Sequence, residues 1–385
     1  MRNFLVVGKS RRVVAAVLQA VRSHGDDKCI VIGGEDTGPL RWSSLCERYA
    51  MIAFDGRDDA RFVDIVEELA KQMPQLTMIP CDCDGIRLVN RVRERVSMPI
   101  SPIPDTPQLD RFDDKWQFHR FCKQHALPVP STLRIGSKHD ADFKALATTF
   151  GLPFVLKPVN QAGSLGVKIV TNEAHFNSGI LHNEQYQFAP LIAQRFVDGE
   201  DIDLSLLSVN GRLRAFAIQQ VVGAEIHFVR NHQLEQIAHE LCRVSGFHGV
   251  MHVDARIDKT TGAIYLIESN PRFWASLTAS AWCGLNFVAE SLHEHRSIPN
   301  VARLTAGIAH LRHPLLRPTC WRELLTATSE RGRLLRAMTF DWPALSELLS
   351  ELPMMCRRHM QKLKGDATKA WRSLDRLTAR ARKVP

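Results

Sequence analysis

A parallel α/β unit, then a larger α+β unit, then a helical and basic C-terminal stretch is the fold class the sequence predicts. Three observations predict it. Strands alternate with helices over about the first hundred residues, four prolines cluster at 99, 102, 104 and 107, and a second series of strands runs on to about residue 310.

The elements of the first unit follow in order. Residues 4–7 read as a buried strand and 13–21 as a helix with apolar residues at helical spacing. Residues 29–32 form a second strand, stopped by Gly33-Gly34, and 50–54 a short third one. A helix over 62–73 carries Ile65, Leu69 and Met73 along one side, and 76–80 is a further strand. Such alternation predicts a parallel sheet in a small Rossmann-like domain over 1–105. The second unit, 106–310, opens with a helix from Asp114 to His125. Strands follow near 154–157, 167–170, 192–196, 203–208, 250–256 and 264–269. Residues 311–385 become helical.

Composition narrows the function classes. The 385 residues are 45% hydrophobic and 24% charged, as in an ordinary globular chain, with no apolar run near the ~20 residues that span a bilayer. The apolar run after Arg2 is too short for a signal peptide, and Lys9, Arg11 and Arg12 follow at once. Nine scattered cysteines make no disulfide framework and predict a reduced, cytoplasmic protein. Residues 351–385 hold ten Lys and Arg against three Asp and Glu, so +7 of the +9 net charge lies there and +2 on the rest. The basic balance describes this tail, and no nucleic-acid partner is expected. Met360, Leu363, Ala367, Trp371, Leu374, Leu377 and Ala381 fall at intervals of three and four. They predict a terminal helix docked on the body, with weak contact to an anionic membrane surface or an acidic partner as the alternative.

Several motifs fail on inspection. Gly8-Lys9-Ser10 ends like a phosphate-binding loop, but Asn3 stands where its first glycine belongs. His239-Glu240-Leu241-Cys242 opens like a zinc-protease helix, yet Arg243 replaces the second histidine. Cys81-Asp82-Cys83 lacks metal-site spacing, and His248 and His252 read as ordinary core or surface histidines.

Four segments carry chemistry. Asp114-Lys115-Trp116 opens the second unit. A strand then delivers Lys157, a point charge suited to phosphate oxygens, ahead of a turn of small residues around Gly163, Ser164 and Gly166 whose N–H groups can close on phosphates. Residues 192–203 run an apolar strand into an acidic turn, where backbone can meet a purine edge and a carboxylate can meet ribose hydroxyls. From Val250 to Trp274, Lys259-Thr260-Thr261-Gly262 joins two alternating strands. Pairing centred on Thr261 sets Asp254 opposite Glu268 and Arg256 opposite Leu266. Asp254, Arg256, Glu268 and Asn270 then project from one side, and two carboxylates with an amide oxygen suit Mg²⁺.

Together these segments resemble the ATP-grasp superfamily over about 110–300. The stretch Glu268-Ser269-Asn270-Pro271-Arg272-Phe273-Trp274 is similar to the metal-binding stretch of carbamoyl phosphate synthetase large chains and of stand-alone carboxylate–amine ligases. The resemblance implies a two-subdomain ATP-grasp fold after the Rossmann-like domain. It implies that Lys115 and Lys157 contact ATP phosphates and that Gly163, Ser164 and Gly166 belong to a loop covering them. Gln194, Arg195, Phe196 and Val197 would border adenine, mostly through backbone, and Asp201 would hold ribose. Asp254, Glu268 and Asn270 would bind Mg²⁺, with Mn²⁺ as a substitute, while Arg256 and Arg272 would stabilise the transferring phosphoryl group. Gln194 and Asp254 stand where many relatives have glutamate. The implied reaction activates a carboxylate as an acyl phosphate for attack by an amine or another nucleophile, releasing ADP and phosphate. Small-molecule carboxylates and amines are the expected partners, in a monomer or an oligomer. A kinase-like or thioester-forming enzyme and a non-catalytic ATP-binding interaction protein remain as alternatives.

Overall fold

In the computed structural model, residues 3–25, 28–161, 163–292, 300–326 and 329–349 are described. The amphipathic pattern expected at residues 360–381 lies outside them. The first apolar run becomes β1 (Asn3–Gly8), followed by α1 (Arg11–His24), β2 (Lys28–Gly33), β3 (Cys46–Met51), α2 (Asp59–Gln72), β4 (Thr77–Pro80) and α3 (Cys83–Val92). The four strands form a parallel sheet in the order β3-β2-β1-β4. The third strand lies earlier than residues 50–54. The Ile52 N–H still reaches Gly33, but the Ala53 N–H turns to the Asp58 carboxylate and the chain leaves the sheet. β3 is an edge strand with no buried residue, so it gives no apolar pattern to read.

Strand order reverses between β1 and β4, the place where open α/β sheets bind ligands. Here a side chain of the protein fills it. Asp82 accepts hydrogen bonds from the Lys9 and Ser10 N–H groups at 2.7 Å each and caps α3 through the Gly85 N–H. The proline-rich connection is also no free linker, because residues around Ile100 bond to Met78 as an extension beyond β4.

The second unit begins with α4 (Thr106–Asp113) and α5 (Lys115–Gln124), capped by Asp105 and Asp114. β5 (Thr132–Ile135), α6 (Phe143–Phe150), β6 (Phe154–Pro158), β7 (Lys168–Val170), α7 (Glu173–Phe176) and β8 (Leu191–Arg195) come next. Their strands form an antiparallel sheet in the order β5-β8-β6-β7. A seven-stranded sheet follows, built from β9 (Gly199–Val209), β10 (Arg212–Val222), β11 (Glu225–Phe228), β12 (Gly249–Asp258), β13 (Ile264–Asn270), β14 (Ala302–Leu304) and β15 (Gly307–His310). Its order is β13-β12-β9-β10-β11-β15, with β14 beside β10. α8 (His232–Ser245) joins β11 to β12, and its apolar side meets Phe112, Phe118 and Phe121 in one core.

α9 (Leu277–Trp282), α10 (Phe287–Ser291), α11 (Trp321–Thr326) and α12 (Glu330–Phe340) follow, and residues 342–349 are helical as well. Leu334 and Leu335 of α12 share a core with Val13, Val17 and Val21 of α1 and with Leu277 of α9. Buried Asp341 accepts from the Ser43 hydroxyl at 2.7 Å and from the Ser44 N–H at 2.8 Å.

The β12–β13 hairpin pairs Asp254 with Glu268 as expected, but Arg256 faces Tyr265, not Leu266. Ile267 is an unpaired bulge residue, and its carbonyl accepts from the Lys157 ammonium at 3.4 Å. The bulge costs a ladder bond and re-aims the strand at the site.

Candidate active site

A cleft of about 880 Å³ opens between the four-stranded and seven-stranded sheets. Each sheet supplies side chains at period two, so alternate residues of β6, β8, β9 and β12 meet across it.

One end has Val155, Ile169, Phe196 and Val197 among its walls, beside the Asp201–Arg256 pair. The buried Gln194 amide donates to the Thr132 hydroxyl at 2.9 Å, so its side chain is committed to the fold. Arg195 lies over the Tyr265 ring, 4.6 Å from its centroid, and 3.8 Å from Asp258. Both residues face the cleft, and their side-chain polar groups are engaged elsewhere. Asp201 pairs with Arg256 at 2.9 Å, and Arg256 also donates to the Gly199 carbonyl and lies over the Phe196 ring.

The other end is charged. Glu268 lies 3.5 Å from the Lys115 ammonium and 3.7 Å from that of Lys157. Lys115 also donates to the Gln161 carbonyl at 2.6 Å. Burial lowers the Lys157 pKa to about 8, against the opposing pull of Glu268. Asp203, Asp254 and Glu268 are direct neighbours across β9, β12 and β13, a row of three carboxylates. Burial, then the Glu268 and Asp203 charges, push Asp254 well above the usual carboxylate range, and burial raises Asp203 to about 7. Burial lowers His252 to about 4.

Ser164 and Leu165 line the cleft, whereas Gly163 and Gly166 shape the loop behind them. Gly166 has φ +76°, and a Cβ there would lie 2.7 Å from Pro158 and 2.8 Å from Phe188. Asn270 and Arg272 sit beyond the cleft wall. Arg272 donates to the Asn270 side-chain oxygen at 3.0 Å and to the Phe273 carbonyl at 2.8 Å. Its charge reaches Cys83 at the start of α3, so this end faces the first sheet.

The structure thus brings Lys115, Lys157, Ser164, Gln194, Arg195, Phe196, Val197, Asp201, Asp254, Arg256 and Glu268 to one cleft. Sequence reading missed Asp203 and Gln161 and set His252 aside. Asp203 lies two residues from Asp201 and His252 two from Asp254, so the alternation that selected the hairpin carboxylates could have found both.

Residues 112–276 match the family model for the ATP-grasp domain, and this segment of the chain is an ATP-grasp domain. The D-alanine–D-alanine ligase of a Polaromonas species is 24% identical over 180 residues, 41% of this chain and 53% of that one. The chain thus spans about half the length of that relative. The arginine-specific carbamoyl phosphate synthase large chain of Bacillus subtilis is 25% identical over 216 residues, 52% of this chain and 19% of that one. Among solved structures, the biotin carboxylase domain of Hydrogenobacter thermophilus 2-oxoglutarate carboxylase, bound to MgADP and bicarbonate, gives a TM-score of 0.60 at 14% identity. The match covers 78% of this chain and 71% of that one. The fold is a mixed α/β ATP-grasp fold.

Proposed function

We propose that the chain is an ATP- and Mg²⁺-dependent ligase that activates a carboxylate as an acyl phosphate and joins it to an amine or another nucleophile. The observation that carries this reading is the convergence of Lys115 and Lys157 on Glu268, beside Asp254, at one end of a cleft whose other end carries the apolar walls Val155, Ile169, Phe196 and Val197. One end fits polyphosphate and the other a flat base. The similarity to D-alanine–D-alanine ligase and to carbamoyl phosphate synthase supports it. We read 1–105 as a Rossmann-like domain, 106–310 as the ATP-grasp domain and 311–385 as a helical, basic region.

Asp254 and Glu268 line the cleft as hard-oxygen donors that fit Mg²⁺, with Mn²⁺ as a substitute, and the Asn270 amide oxygen, two residues along the same strand, would join them by exchanging its bond from Arg272. When bound, such an ion supplies charge neutralisation at the phosphate oxygens. Lys115 and Lys157 would hold phosphate oxygens in place of Glu268, and the loop around Gly163, Ser164 and Gly166 would cover them. Phe196 and Val197 would flank the base, with backbone of Gln194 and Arg195 at its edge, and Asp201 would meet the ribose. A carboxylate oxygen attacks the terminal phosphorus, ADP leaves, and the acyl phosphate forms. The nucleophile then attacks the acyl carbon, phosphate leaves, and an attacking amine sheds a proton. Arg256 and Arg272 would balance charge during phosphoryl transfer. Of the two, Arg272 lies nearer the first sheet and would meet an acid substrate entering from that side.

The test is a library of acids incubated with ATP, Mg²⁺ and hydroxylamine. Hydroxamate should form with ADP for the correct acid, and Arg272→Ala should abolish both. AMP and pyrophosphate as products would overturn the acyl-phosphate route.

A further inference from the structure

The three carboxylates in the row are not equally served. Glu268 has two ammonium groups within 3.7 Å. Among the described residues, Asp203 and Asp254 form no ion pair with any Lys or Arg. His252 faces both, its Nε2 3.3 Å from Asp254 Oδ1 and 4.0 Å from Asp203 Oδ2, while the Lys157 charge reaches Asp254 from beyond ion-pair distance. Like charges set directly across a sheet repel, so two adjacent carboxylates that no lysine or arginine contacts directly are relieved by a shared proton or by a bound cation.

The histidine is built in. Its Nδ1 is 2.9 Å from the hydroxyl of Ser205, itself fully buried, and its ring stacks on Trp274 with centroids 5.4 Å apart at 22°. An imidazole held through Nδ1 by a hydrogen-bonding neighbour, with Nε2 aimed at two carboxylates, is the arrangement of a metal-ligating histidine. One ligand atom from each of Asp203, His252 and Asp254 lies within 4.8 Å of the others. Tetrahedral bonds of about 2.1 Å separate ligand atoms by about 3.4 Å; the 3.3 Å separation already fits, and the 4.0 Å separation and that between the two carboxylates, within 4.8 Å, would close on binding.

We infer that Asp203, His252 and Asp254 form a second divalent-metal site, sharing only Asp254 with the Mg²⁺ set proposed above and taking an imidazole-accepting transition ion of the Co²⁺ or Zn²⁺ kind. An imidazole nitrogen and two carboxylate oxygens favour such ions over Mg²⁺, which prefers an all-oxygen shell. Three protein ligands leave a fourth position to water. The inference does not rest on the proposed ligase reaction, since it requires no nucleotide.

The experiment titrates the whole, chelator-stripped protein with Co²⁺ alone, read by its visible absorption and by proton NMR. One ion should bind with a tetrahedral spectrum and a hyperfine-shifted, exchangeable imidazole N–H. His252→Gln and Asp203→Asn should each weaken binding by about tenfold or more, and Ser205→Ala by about tenfold through loss of the ring's anchor. Glu268→Gln should retain the spectrum. A thiolate charge-transfer band as the main signal would put the ion on cysteine and overturn the assignment. So would absence of the shifted N–H in the parent protein, which needs no variant to fold. Equal binding by parent, His252→Gln and Asp203→Asn would also overturn it. MgATP-dependent thermal stabilisation, measured alongside, reports separately on the nucleotide site.

Discussion

Lys157 is a nearly fully buried ammonium whose neighbours are Glu268, Lys115 and a bulge carbonyl. Its folded-state pKa of about 8 lies below the ordinary lysine value of 10.5. Between those values the unfolded chain binds more protons than the folded one, so stability rises with pH across that window. In chelator, the parent protein should gain stability from pH 8 to 10, and Lys157→Met should lack that rise in denaturant titrations. Asp82 makes the opposite case, a buried carboxylate satisfied by three backbone N–H groups. Asp82→Ala would leave three donors unpaired and should cost about 2–4 kcal/mol, read as a lower urea midpoint. A lysine before a glycine turn is often part of a plain hairpin, and Lys157 was legible only together with the three other segments in their order along the chain. Asp82 was not legible, because its partners Lys9 and Ser10 lie more than seventy residues away.

At the scale of elements, alternation made the β12–β13 hairpin readable, including the Asp254–Glu268 pairing. The Ile267 bulge was invisible, since a regular pattern of apolar residues continues straight through it. β3 was misplaced because an edge strand needs no apolar face. β9 began earlier than expected, at Gly199, where a Cβ would lie 1.7 Å from the Ile257 carbonyl oxygen. Gly199→Ala should therefore force β9 and β12 apart and lower stability by about 2–4 kcal/mol, measured as a fall in Tm. The same change should weaken nucleotide binding, because the Gly199 carbonyl also holds Arg256.

For the whole molecule, the first sheet is tied to the C-terminal helices by a shared core. α1 packs on α9, α10 and α12, and Asp341 bonds Ser43 and Ser44 across almost three hundred residues. Contacts at that separation leave no periodic trace in sequence, so the order of the units was readable and their interlocking was not. Asp341→Ala should cost about 1–3 kcal/mol. Tryptophan fluorescence and circular dichroism should still report one coincident transition, since the core does not divide there. No helix among the described residues is long and apolar enough to cross a membrane.

The proposed MgATP site lies between the β5–β8 sheet and the β9–β15 sheet, with Glu268 and Asn270 on the metal. It is tested most directly by thermal unfolding with ATP and Mg²⁺ together, each alone, and neither. The parent should show a Tm rise that requires both, and Glu268→Gln combined with Asn270→Ala should lose most of it. An undiminished rise in that double variant would contradict the account.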